Sequence, residues 1–214
     1  FSSLLQISKK TLLTLSRLQG KEYNPESGEQ IGKCIHEFRK SKYDHLLAEK
    51  KPWYLYPDKT IRNYDSIDST PLFLIAVYKY YALTKDEDFL KNILPSVKLG
   101  LEWVLFHGDV DGDYLLEYES VASRTHGGLR VQSWTDSHET LLKPDGTMPL
   151  YPFAPVEVQS YAWLSLKLWA DFYETTDKEF AQNLNGFADN LKERFNEAFI
   201  FKDGETYFAA QALD

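Results

Sequence analysis

Apolar residues recur at Leu4, Leu5, Leu12, Leu15 and Leu18, a spacing near one face of a helix over residues 2–19, and Gly20 supplies its stop. Residues 20–68 lose that period: Pro25, Pro52 and Pro57 interrupt them, and Tyr43, Trp53, Tyr54 and Tyr56 give an ordered loop material to bury. The pattern predicts a second helix over about 70–84, with Ser69 as its N-cap and Pro71 in the first turn. A third is expected from Asp86 to about His107, interrupted before Pro95 because proline removes a backbone donor. After a long connection over 108–155, helical spacing resumes at 156–175 and 177–198. The tail Phe199-Ile200-Phe201, Asp203-Gly204, Tyr207-Phe208 reads as a hairpin.

One stretch is echoed. Tyr81-Ala82-Leu83-Thr84-Lys85-Asp86-Glu87-Asp88-Phe89 resembles Phe172-Tyr173-Glu174-Thr175-Thr176-Asp177-Lys178-Glu179-Phe180, each a helix, an aspartate-capped turn and another helix. Stacked helical hairpins of this kind point to a solenoid or a closed helical toroid, with the polar aromatic connections gathered at one end.

With 214 residues the chain can bury one sizeable core, and 15% aromatics, including 14 Tyr and 13 Phe, argue against disorder. A net charge of −8 disfavours nucleic acid and anionic membranes as partners, and no apolar run reaches the ~20 residues of a spanning helix. Cys34 is the only cysteine, which excludes an internal disulfide and fits a cytoplasmic setting. The sequence opens inside a helical pattern and stops at Asp214 without a cap, so it reads as a single domain over 1–214 that is part of a larger protein.

The chemistry concentrates in Gly127 through Glu139, which joins a glycine pair to Trp134, Asp136 and His138. Trp134 and Asp136 lie two apart, so in an extended segment they point the same way, an indole beside a carboxyl group. Three further segments carry the same mixture: His36-Glu37-Phe38-Arg39, Tyr64 through Pro71 with Asp65 and Asp68, and Pro155 through Tyr161 with Glu157 and Gln159. Arg39 can grip vicinal hydroxyls; Asp65, Asp68 and Glu157 also suit helix N-termini. A zinc-protease helix would need histidine at position 40, which is Lys40, and a calcium loop from Asp109 would need glycine and glutamate where Tyr114 and Ser120 stand. No nucleophile elbow, dinucleotide fingerprint or phosphate loop occurs, so no cofactor or metal is expected. Carboxylates among aromatics are the outfit of glycoside hydrolysis.

In this order, Gly32 through Arg39, Asp65 through Phe73, Gly127 through Ser137 and Pro155 through Tyr161, with the acidic turn Asp109 through Tyr118, resemble the amylo-α-1,6-glucosidase (glycogen debranching enzyme) family over most of residues 15–214. That resemblance implies an all-α (α/α)6 toroid, only partly present in this chain, that hydrolyses an α-glucan with inversion. It places the general acid at Asp136, lines the sugar subsite with His36, Arg39, Asp68, Trp134, Glu157 and Gln159, and puts the base beyond residue 214. The family's earlier Gly-Arg-Asp motif is not in this sequence. The alternative is a catalytically incomplete sugar-binding or structural unit.

Overall fold

The computed structural model describes residues 2–119, 124–135, 140–143 and 145–214. It is mostly helical with a few short antiparallel strands. Helix α1 spans Ser2–Leu18, α3 Ser69–Thr84, α4 Glu87–Phe106, α5 Val156–Tyr173 and α6 Lys178–Ala198; a single turn, α2, spans Asp44–Leu47. No described helix is long and apolar enough to cross a membrane.

The two aspartates of the echoed stretch do the same work. The Asp86 carboxylate accepts from the Phe89 amide at 3.0 Å and the Asp177 carboxylate from the Phe180 amide at 3.2 Å, so each starts the second helix of a hairpin by satisfying an amide the helix cannot. Helix α3 begins at Ser69, one residue earlier than the pattern predicts. Asp68 takes the cap position but makes no capping bond, because its carboxylate accepts the Ser66 hydroxyl at 2.5 Å instead.

The expected interruption at Pro95 does not occur: α4 runs unbroken from Glu87 to Phe106. A proline inside a helix costs about 3 kcal/mol. Phe89, Leu90 and Ile93 before it and Val97, Leu101 and Val104 after it are all buried, at roughly 1.5–3 kcal/mol each. Packing of one continuous face outweighs the missing hydrogen bond.

Helices α3 and α4 form one hairpin, α5 and α6 a second, and α3 lies against α5; α1 packs on α3 and α4. A single apolar core runs through all five, with Leu74, Val77, Ile93, Val97, Leu166 and Trp169 fully enclosed. The Trp169 indole donates to the Leu74 carbonyl at 3.0 Å and locks the two hairpins in register.

The strands are short. β1 (Glu37–Arg39) pairs antiparallel with β2 (Ile61–Asn63), matching Phe38 to Arg62. β4 (Ile200–Asp203) and β5 (Thr206–Ala209) form the expected hairpin, with Gly204 at φ 60° opening its turn. β3 (Ala154–Pro155) pairs with β6 (Ala212–Leu213), so the tail returns to the start of α5. The connections over 19–68 and 107–155 leave the ends of α1 and α4 and enter the starts of α3 and α5.

Candidate functional site

A buried ion pair joins the two long connections. Asp65 and Arg124 are only 1% and 3% exposed at their side chains, and the guanidinium grips the carboxylate with both Nη atoms, Nη1 to Oδ1 at 3.1 Å and Nη2 to Oδ2. Asp65 also accepts from Asn63 Nδ2 at 2.8 Å and from the Leu129 amide at 2.9 Å. A Cβ at Gly128 would fall on the guanidinium, and one at Gly127 would stand 2.6 Å from the Lys51 carbonyl. The glycine pair is thus explained by close approach of the backbone to this pair and to the neighbouring loop. A second tie, the Ile67 amide donating to the Gln132 carbonyl at 2.7 Å, joins the 107–155 connection to the segment leading into α3.

These ties bring Asp68, Ser133 and Glu157 together. Asp68 is buried. Glu157, in the first turn of α5, has a buried Oε1 with no hydrogen-bond partner among the described residues. Burial raises its pKa, its own amide and the Ser133 hydroxyl oppose that, and the Asp68 charge raises it further. The Tyr118 hydroxyl is also buried; burial raises its pKa, the Gln132 backbone opposes that, and Tyr151, Glu157 and Asp68 add to the rise. Two carboxyl groups and a phenol from three parts of the chain therefore share one poorly hydrated space. A buried polar atom without a partner costs about 1–3 kcal/mol, and a ligand hydroxyl would remove that cost.

Trp134 lies in sequence between buried Ser133 and Thr135, whose hydroxyls meet at 2.9 Å, and its own side chain is turned outward, 70% exposed. An indole left in solvent at such a place is available to a sugar ring. Asp136, the expected acid, lies outside the described residues, as does His138.

The other expected residues divide. His36 is exposed, and its amide donates to the Asn63 carbonyl at 2.9 Å, which holds it on the β1–β2 ladder feeding the Asp65–Asp68 segment. Arg39, half-buried, spends its Nε on Glu37. No described contact joins His36 or Arg39 to Asp68 or Glu157. Gln159 is fully buried and its amide is consumed by backbone: Oε1 accepts from the Leu116 amide at 2.8 Å, while Nε2 donates to the Leu116 carbonyl at 2.7 Å and the Pro155 carbonyl at 3.0 Å. The structure gives Gln159 the work of pinning the 107–155 connection to α5, not of facing a ligand.

Among the described residues, the group whose oxygens could surround a cation is Asp109, Asp111 and Glu117, each offering an atom within 4.8 Å of the others. Those oxygens already serve the loop. Asp109 accepts from the amides of Gly112, Asp113 and Tyr114, and Glu117 Oε1 from those of Val110 and Asp111. Burial pushes the Glu117 carboxyl up to about 7 against those two amides, and the nearby acids add to the rise.

Sequence reasoning missed Arg124, Tyr118 and Lys33. Nothing in spacing pairs Arg124 with Asp65 across 59 residues; only the adjacent glycine pair hinted that something close approaches there. No protein-family model and no curated protein matches this chain.

Proposed function

We propose that the chain is part of an inverting glycoside hydrolase of amylo-α-1,6-glucosidase type, acting on an α-glucan, with its hairpins forming part of an (α/α)6 toroid. The observation that carries this reading is the meeting of Asp68 and Glu157, from the starts of different helices, with Ser133 of the segment that also bears the exposed Trp134. Glu157, inclined to hold its proton, donates to one sugar hydroxyl. Asp68, with one oxygen on Ser66, accepts from another through the second. Trp134 lies along the ring. Asp136, two residues on, protonates the leaving glycosidic oxygen, and a carboxylate outside this chain activates water on the opposite face. His36 and Arg39 then belong to the outer rim, where longer glucans pass.

The test is hydrolysis of a glycogen limit dextrin by the parent protein with Asp136 intact and with Asp136→Asn. Removing a general acid is expected to lower kcat by roughly 10²–10⁴-fold with sugar binding retained. Near-normal turnover by the variant would refute the role of Asp136. A unit that captures sugar without turnover is the second reading, favoured because Asp68, Glu157 and Trp134 are all binding groups. It would show as oligosaccharide binding by calorimetry with no hydrolysis in the intact parent.

A further inference from the structure

A cavity of about 330 Å³ lies between the C-terminal end of α4 and the two long connections, beside the Asp68–Glu157 group but not between those residues. Its volume is at the lower end of the ~300–1,000 Å³ that sites for small molecules occupy. Lys33, Trp103, Glu117 and Arg124 line its depth, and Tyr23 and Phe106 its rim.

Lys33 is the informative member. It is 6% exposed, and its ammonium sits 5.7 Å from the centre of the Trp103 ring. Among the described residues it has no hydrogen bond and no carboxylate partner. Burial brings its pKa down to about 8, with Asp65 opposing and Arg124 reinforcing the fall, so at neutral pH it is still mostly charged. A buried ammonium with unused donors is costly unless something accepts from it. Among the described residues the Arg124 Nε is a buried donor without a partner, and the NH₂ of Gln30, whose Oε1 accepts from the Trp103 indole at 2.8 Å, has none either. Glu117, with one oxygen on loop amides, supplies the other or its proton. The nearby carboxylates of Asp65 and Glu29 are already bonded, to Arg124 and to Tyr56 respectively.

The cavity thus offers mainly donors at its depth. Its rim carries two rings left in solvent, Tyr23 at 74% and Phe106 at 70% exposure. Exposed rings over a polar well suit a pyranose, which presents an apolar face and a ring of hydroxyls. Asp109 and Glu119 also line the cavity, and Glu119 is exposed, which disfavours an anion.

We propose that this cavity is a second carbohydrate site, which holds a neutral hexose unit through hydrogen bonds from Lys33 and ring contact with Phe106 and Tyr23. The choice of glucose polymer as its source rests on the α-glucan reading above. Asp65 and Gln132 line the cavity from the segments that also carry Asp68 and Ser133.

Hydrogen exchange of the 214-residue chain with maltotriose tests this. Bound sugar is expected to slow exchange in peptides covering 28–33 and 103–110. Lys33→Met and Phe106→Ser should each weaken that protection about tenfold or more in apparent affinity, as loss of a hydrogen bond to a charged group or of a stacking ring predicts. Phe106 is exposed, so its variant keeps the fold whatever Lys33→Met does. Three results would overturn the proposal: unchanged exchange at saturating maltotriose, protection undiminished in Phe106→Ser, or protection by inorganic phosphate and not by maltotriose. Protection without glucan hydrolysis by the parent would sink the hydrolase reading and keep the cavity. Hydrolysis without protection would do the reverse.

Discussion

Replacing Arg124 by Met should destabilise the protein more than any other change in the loops. The carboxylate of Asp65 and the guanidinium are almost wholly removed from water, and two of the bonds holding Asp65 come from Arg124. Without it, Asp65 is left buried on Asn63 Nδ2 and the Leu129 amide alone. Breaking a buried pair by removing one partner costs about 3–5 kcal/mol, because the surviving charge has lost its counter-ion. That is about a fifth or more of the ~5–15 kcal/mol that holds a typical domain folded. At roughly 2–4 °C per kcal/mol for a chain of this size, Tm should fall by about 6–20 °C. Urea unfolding gives the free energy directly, provided the slope with denaturant is unchanged. The double variant Asp65→Leu with Arg124→Met should recover much of the loss, since no unpaired charge then remains buried. A penalty below about 1 kcal/mol for Arg124→Met would place the pair in solvent and refute the reasoning, because exposed pairs contribute only that much.

Gln159→Met should cost about 3 kcal/mol or more in urea unfolding, because the Leu116 amide and the Leu116 and Pro155 carbonyls lose their partner at once; unchanged stability with weakened sugar binding would return Gln159 to the substrate. Glu117→Gln should alter the pH profile of stability. The folded state keeps a proton on Glu117 up to about pH 7 while the unfolded chain releases it near 4.5, so the wild type loses stability between those values, by at most about 3 kcal/mol, and the variant should show a flatter profile there. Asp177→Ala, which removes the cap of α6, should cost about 1 kcal/mol by the same measurement.

The helices and the tail hairpin were legible because local rules set them. Capping aspartates at 86 and 177 and apolar spacing both acted within a few residues, and Gly204 fixed the last turn. Pro95 was misjudged for the opposite reason: its local penalty is overridden by a core assembled from distant segments. The candidate site was legible in composition and not in wiring. Carboxylates and an indole at 68, 157 and 134 could be read from the residue types, whereas the backbone partners of Gln159 appear only in the fold. Arg124, which ties the loops together through Asp65, sits in sequence among ordinary small and polar residues, and only the fold takes it and Lys33 out of water.

The tryptophans of this chain are sorted by depth. Trp103 and Trp169 are sealed inside, Trp53 and Trp163 are half-covered, and Trp134 alone stands in solvent. The long-wavelength side of the emission should therefore come disproportionately from residue 134 and be extinguished by iodide while the interior indoles stay bright. A solvent-facing indole thus reports on its own stretch of surface and stays silent about the interior.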